Sequence, residues 1–403
     1  MREMPLADRY LRLGLAFDRI EPGFVDAYFG DPGHRRVVAE GPAPTPSGLA
    51  ADARALLADL RSDTSLPADR REFLLGHVAA LECSARKFDG ADIGFVDEVR
   101  AYFDVDIAPA DTAGYEAAHA ALDEAVPGAG PLRERILAAK ARAEVPPARV
   151  AEVVDALAGA LRDVVRGRYP LPESETVEFE IVGDKPWSGF NYYRGGYRST
   201  VAVNGDLTQY LSVLPHLIAH EAYPGHHTEH CRKEERLVHG AQQPEQTIFL
   251  VNTPQCLMAE GLADHALGAA IGAGWGRWAQ EIYADLGLGF DGDLHERIAR
   301  ASAGLLHVRQ DAALMLHDRH ADPEDVVAYL QRWALMSEQS ARQSLRFLSS
   351  SLWRAYISTY VEGYALLARW LEVARPGPER LRRFGRLLDE PLTPSGLRRE
   401  LAA

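Results

Sequence analysis

At 403 residues, with 47% hydrophobic and 25% charged side chains, the chain has the size and composition of a globular protein with a large core, which excludes global disorder. Its 58 acidic against 44 basic residues give a formal charge of −14, and this excludes a nucleic-acid partner, whose phosphates demand clustered Lys and Arg. Cys83, Cys231 and Cys256 are too scattered for a disulfide framework, a zinc knuckle or a redox pair, and free thiols are expected.

The opening Met1-Arg2-Glu3-Met4-Pro5-Leu6 carries charges and a proline where a secretory signal needs an apolar run, and no stretch is apolar enough to span a membrane. A cytoplasmic protein with no membrane partner is expected. Leu6, Tyr10, Leu13, Phe17 and Ile20 recur at helical intervals, and Glu21-Pro22-Gly23 ends that helix. Gly30-Asp31-Pro32-Gly33 marks a turn, and the Pro-rich 41–47 stretch a surface loop. Periodic runs then predict helices over 49–60, 69–88, 115–125, 131–143 and 147–166. The acidic residues between Glu98 and Asp106 lack the offsets and glycine turn of a calcium loop.

The texture changes near Tyr169. Val177–Val182 alternates apolar and charged residues as a half-exposed strand does, and Gly189–Asn204 reads as a hairpin turning at Gly195-Gly196. Asp206 is the expected N-cap of a helix ending at His220 and Glu221, with a kink or restart at Pro215. Thr253-Pro254 opens a second helix that carries Glu260 and Asp264 to about Leu267. Helices are predicted over 275–286, 299–317 and 323–335, then a long aromatic-rich helix or pair over 344–373 and a basic C-terminal helix. The fold class is mainly α: an N-terminal helical lobe over 1–170 and a catalytic region over 171–403, with a small antiparallel sheet beside the key helix and a cleft between the lobes.

The chemistry centres on His220-Glu221-Ala222-Tyr223-Pro224-Gly225-His226-His227. In the zinc motif H-E-x-x-H, residues four apart lie about 40° from each other around a helix, so both imidazoles meet one ion. Here Pro224 occupies the second position, and His226, six residues after His220, would fall on nearly the opposite face of an unbroken helix. Pro224 lacks the N–H that would bond His220's carbonyl, and Gly225 supplies a hinge. A bulge absorbing two residues would return His226 to the face of His220. His227 competes, since it shares that face without a bulge, but about 10 Å of rise strains chelation. Glu260 is the candidate third ligand, and Asp264 is placed to orient an imidazole. The bland alternative is a solvated histidine-rich helix, given His216, His230 and His239 nearby.

This string, followed by Glu260-Gly261-x-Ala263, resembles the bacterial domain-of-unknown-function family 885, which is similar to the helical gluzincin metallopeptidases. The resemblance is strong over 191–266, extends to Tyr360-Val361-Glu362-Gly363, and is weak in the N-terminal half. It implies a helical zincin-like fold, one zinc ion on His220, His226 and Glu260, and an orienting Asp264 like that of thermolysin-like enzymes. Glu221 would assist attack of a zinc-bound water on a peptide bond, with Tyr360 stabilising the developing oxyanion and Tyr356, Tyr364 or Tyr193 as other candidates. Tyr193, Arg198 and Arg354 are the expected substrate contacts, the arginines, with Arg194, suiting a terminal carboxylate and hence a carboxypeptidase or oligopeptidase. Competing readings are a metal-dependent hydrolase of non-peptide amides or esters, and a metal- or peptide-binding protein without turnover.

Overall fold

The computed structural model describes residues 4–184 and 187–403; Met1, Arg2 and Glu3 of the opening stretch lie outside the described residues. Helices dominate. The N-terminal half carries α1 (Leu6–Phe17), α2 (Pro32–Glu40), α3 (Pro46–Ser62), α4 (Ala68–Phe88), α5 (Phe95–Phe103), α6 (Thr112–Ala125), α7 (Leu132–Ala141) and α8 (Val150–Arg168). The remainder carries α9 (Leu214–Glu221), α10 (His226–Lys233), α11 (Pro254–Ala270), α12 (Trp275–Asp285), α13 (Gly292–Ser302), α14 (Val308–His317), α15 (Pro323–Trp333), α16 (Glu338–Leu348), α17 (Tyr364–Glu372), α18 (Pro378–Asp389) and α19 (Pro394–Ala402). Many start on a side chain that satisfies a first-turn N–H: Thr45 accepts from Gly48, Asp322 from Glu324 and Thr393 from Gly396, each followed by a proline whose missing N–H is harmless there.

Among the described residues, five strands form two small sheets: β1 (Val25–Tyr28), β2 (Thr176–Val182), β3 (Gly189–Gly195), β4 (Arg198–Asn204) and β5 (Ile248–Leu250). The expected hairpin forms from β3 and β4, turning at Gly195 and Gly196, both at positive φ. The sheet is mixed rather than antiparallel. Because β3 takes the outer position, β2 lies beside β4 in the order β2-β4-β3, and after two reversals of chain direction that pairing is parallel. The other sheet, β1 antiparallel to β5, had no counterpart in the sequence reading. It joins residues over two hundred positions apart.

Three boundaries differ in ways that bear on the site. Asp206 does not cap a helix; its carboxylate accepts the Asp184 N–H at 2.6 Å, and α9 begins only at Leu214 with Pro215 in its first turn. Thr253 precedes α11, but its hydroxyl donates to the Leu250 carbonyl at 2.8 Å instead of capping. The aromatic-rich stretch is divided: α16 ends at Leu348, a run of turns follows, and a π-helical turn over Thr359–Gly363 leads into α17. A continuous core, from Tyr10 and Phe17 through Leu161 to Leu257, Tyr283 and Trp370, runs through both halves of the chain. Among the described residues, no helix is long and apolar enough to cross a membrane.

Candidate metal centre

The proline-glycine segment does its work by ending one helix and starting another, not by bulging within one. α9 stops at Glu221, the Tyr223–Pro224 peptide is cis, and α10 starts at His226. Gly225 N–H reaches back to the Ala219 carbonyl at 2.9 Å and Thr228 N–H to Ala222 at 3.2 Å, so each bond spans six residues where a helix spans four. Two residues are thereby absorbed, and His226 emerges where the fourth residue would have been. Gly225 is obligatory in this turn, because a Cβ there would collide with the His220 carbonyl oxygen.

His220 and His226 meet with ring centroids 4.7 Å apart and planes at 90°. Glu260, arriving on α11, closes the third corner: His220 Nε2 lies 3.2 Å from its Oε2 and His226 Nε2 lies 3.7 Å from its Oε1. Ligands about 2.0–2.1 Å from a tetrahedral ion stand roughly 3.3 Å from one another, so these separations suit an ion between them. Asp264, one turn beyond Glu260, lies 3.1 Å from His220 Nδ1. Burial opposes charge on Asp264, yet contacts with His216 and His220 hold its carboxyl well below the usual range. An anionic Asp264 only accepts, so Nδ1 carries the proton and Nε2 turns its lone pair toward Glu260. Glu260 Oε2 is buried and has no hydrogen-bond donor. With Nε2 unprotonated, these two facing acceptors suit a cation between them. Without a metal, burial works against charge on His220, but Asp264 and Glu260 raise its pKa well above the ordinary value, and a proton on Nε2 takes the ion's place. His220, His226 and Glu260 therefore form a cluster that can hold a metal ion.

Around this triad the helices open a cleft of about 560 Å³ whose walls include Phe190, Phe249, Phe347 and Trp353. Glu221 lines it, one residue from His220, its carboxyl raised by burial against the pull of His220 and His226. Asn191 of β3 donates to the Glu221 carbonyl at 2.7 Å and fixes that end of α9. Tyr356 and Tyr360 also line the cleft. Tyr356 donates to Glu260 Oε1 at 2.7 Å and so orients that carboxylate. Tyr360 sits on the π-helical turn, and burial with the charges of Glu260, Asp264 and Glu221 keeps its phenol protonated. Gly261 and Gly363 let α11 and this turn touch backbone to backbone: a Cβ on Gly261 would lie 2.7 Å from Gly363.

The competing histidine points elsewhere. His227 has no exposed surface; its Nε2 lies 3.0 Å from Glu175 Oε2 and its Nδ1 2.9 Å from Ser199 Oγ. Glu175 also receives Arg162 at 2.7 Å, Arg166 at 2.8 Å and the Tyr223 hydroxyl at 2.8 Å, which anchors the segment next to the metal cluster. The three expected substrate contacts do not line the cleft. Tyr193 is buried, donates to Glu234 and stacks on His230 at 4.7 Å. Arg354 pairs with the buried Glu98, which Lys87 also meets. Arg198 is exposed at the start of β4, and Arg194 lies over the Tyr192 ring. Tyr356, an alternative oxyanion candidate in the sequence, lies in the cleft but spends its hydroxyl on Glu260. Asp26 on β1 had escaped notice: a lone Asp between apolar residues is unremarkable until β1 meets β5.

No protein-family model matches the chain, and no curated protein matches it. Among solved structures, the fold is similar to a "putative lipoprotein" from Colwellia psychrerythraea, with a TM-score of 0.54 and 15% identity over 91% of this chain and 71% of that one. At that identity the likeness concerns the fold alone.

Proposed function

We propose that the chain is a metallopeptidase of the helical gluzincin kind, with one zinc ion on His220, His226 and Glu260. The observation that carries this reading is the facing pair of acceptors, His220 Nε2 and the unpartnered Glu260 Oε2, with His226 completing a three-donor set. Two imidazoles and one carboxylate, leaving a position open to a cleft, are the donor set of a catalytic zinc rather than of a closed structural site. The resemblance of the His220–His227 string to family 885 supports the same assignment.

When bound, zinc supplies Lewis acidity, polarising a peptide carbonyl and acidifying water. The chain's own residues do the rest. Glu221, with its carboxyl raised above the ordinary range, takes a proton from the attacking water on its side-chain oxygen and returns it to the leaving amine. Tyr360 donates its hydroxyl hydrogen to the carbonyl oxygen as negative charge grows there. Asp264 and Tyr356 hold His220 and Glu260 in place. Gly189, Phe190 and Asn191 of the outer strand β3 line the cleft, so an extended peptide can add to that edge beside the metal cluster. Substrates are peptides, cut in a carboxypeptidase-like or oligopeptidase-like manner.

Elemental analysis of the purified protein, paired with a peptide library, tests this. One zinc per chain and hydrolysis of library peptides are expected. Glu221→Gln should keep the metal and lower turnover by about 10²–10⁴-fold. Undiminished turnover in a metal-replete Glu221→Gln protein would remove Glu221 from the mechanism. Hydrolysis of esters or non-peptide amides alone would move the activity out of the peptidases.

A further inference from the structure

Asp26 stands at an irregularity in the β1–β5 ladder. Val25 pairs with Leu250 and Ala27 with Phe249, so Asp26 is the extra residue between two consecutive partners. A bulge of this kind turns a side chain out of the ladder. Here it turns Asp26 into the wall of the same cleft that holds Glu221 and Glu260. Among the described residues, Asp26 has no hydrogen bond and no ion pair, although Arg- and Lys-paired carboxylates are common elsewhere in this chain. Burial, with the nearby charges of Glu260 and Glu221, pushes its carboxyl up to about 7. A carboxyl group in that position is costly unless a cation meets it.

With a metal on His220 and His226, no described side chain lining the cleft supplies such a cation. Arg346 is the only Lys or Arg among the described residues lining the cleft, and it is exposed and donates to Gln343. His230 also lines the cleft, and burial drives its pKa well below the ordinary value, so it is neutral. The metal accounts for Glu260, and the attacking water for Glu221. Asp26 is left over, an acceptor set among aromatic walls that suit both apolar groups and a cationic nitrogen.

We propose that Asp26 anchors a cationic nitrogen of the substrate, the free α-amino group of a short peptide, and so sets the direction in which peptides enter the cleft. This rests on the metallopeptidase reading and narrows it to the oligopeptidase-like form, against the carboxypeptidase-like one: cleavage is counted from the amino end. A lysine or arginine side chain presents the same chemistry and is the other source of the nitrogen.

Calorimetric binding of four peptides to zinc-loaded Glu221→Gln protein separates the cases without requiring turnover. The probes are tetra-alanine, its N-acetyl form, its C-terminal amide, and an N-acetylated form with lysine first. N-acetylation should weaken binding at least tenfold and amidation less than threefold. Asp26→Asn on the same background should lose the preference for the free amino group while zinc content stays unchanged and the thermal midpoint does not fall, because the side chain has no partner to lose and its charge is costly where it stands. Recovery of affinity by the acetylated lysine peptide would assign Asp26 to a side-chain amine and overturn the α-amino assignment. Equal binding of free and acetylated peptides, a penalty only for amidation, or loss of zinc from Asp26→Asn would overturn the proposal outright. If Asp26→Asn does not fold, the acetylation comparison on the parent protein still decides. Selective binding with no hydrolysis by the wild-type protein would overturn the peptidase reading and leave this one standing. Hydrolysis without selectivity would do the reverse.

Discussion

His226 and His227 are neighbours in sequence with opposite surroundings, one facing Glu260 and the other buried against Glu175. His226→Ala should therefore abolish stoichiometric metal while leaving the protein folded. His227→Ala should retain the metal but lower unfolding free energy by about 3 kcal/mol, because it removes one partner of the buried Glu175 carboxylate. Elemental analysis with urea denaturation distinguishes the two. Glu175 itself carries a pH dependence. Burial alone would raise it, but His227, Arg162, Tyr223 and Arg166 outweigh burial and hold its carboxyl at about 2, against 4.5 as the ordinary value. Its contribution is thus complete above about pH 4.5 and is lost as pH falls toward 2. The shift corresponds to an upper limit on the order of 3 kcal/mol. Discounting for the solvent-facing arginines brings the expected loss to about 2 kcal/mol. Denaturation of Glu175→Gln should show a shallower decline over the same pH interval.

At the level of elements, the His220, His226 and Glu260 cluster depends on two close approaches of backbone: the six-residue turn between α9 and α10, and the contact of α11 with the π-helical turn. Gly261→Ala would press a methyl group against Gly363 and move Tyr360 relative to Glu260. The expected cost is about 1–3 kcal/mol in stability. Turnover should fall with little change in metal content, which urea denaturation, kinetics and elemental analysis would show. Much of this was legible beforehand. The hairpin announced itself by alternation around Gly195-Gly196, and the donors His220, His226 and Glu260 by residue type and the proline-glycine break. The α9–α10 turn was legible only in its effect, since a helix break and a bulge both restore the face. β1 and β5 were not legible, because strands of four and three residues show no period. Tyr193 and Arg354 misled because their chemistry suits a substrate, while their actual partners, Glu234 and Glu98, are set by contacts between distant segments.

Across the whole molecule, α11 is the common support: it packs against α9, α17, α18, α4, α5 and α8 and carries Glu260 and Asp264 into the cleft. A metal ion held by α9, α10 and α11 would clamp this support to both histidine helices. Free zinc a thousandfold above its dissociation constant should stabilise the fold by about 4 kcal/mol, and a chelator should reverse the rise in thermal midpoint. No change on either treatment would mean that the cluster binds zinc weakly or not at all. The wide turn at Gly225 also bears on how such proteins are found. Since the chain can loop out two residues and still deliver both imidazoles, fixed-interval pattern matching will overlook sites built this way. A scan for His-Glu followed at variable distance by Pro-Gly-His would retrieve them.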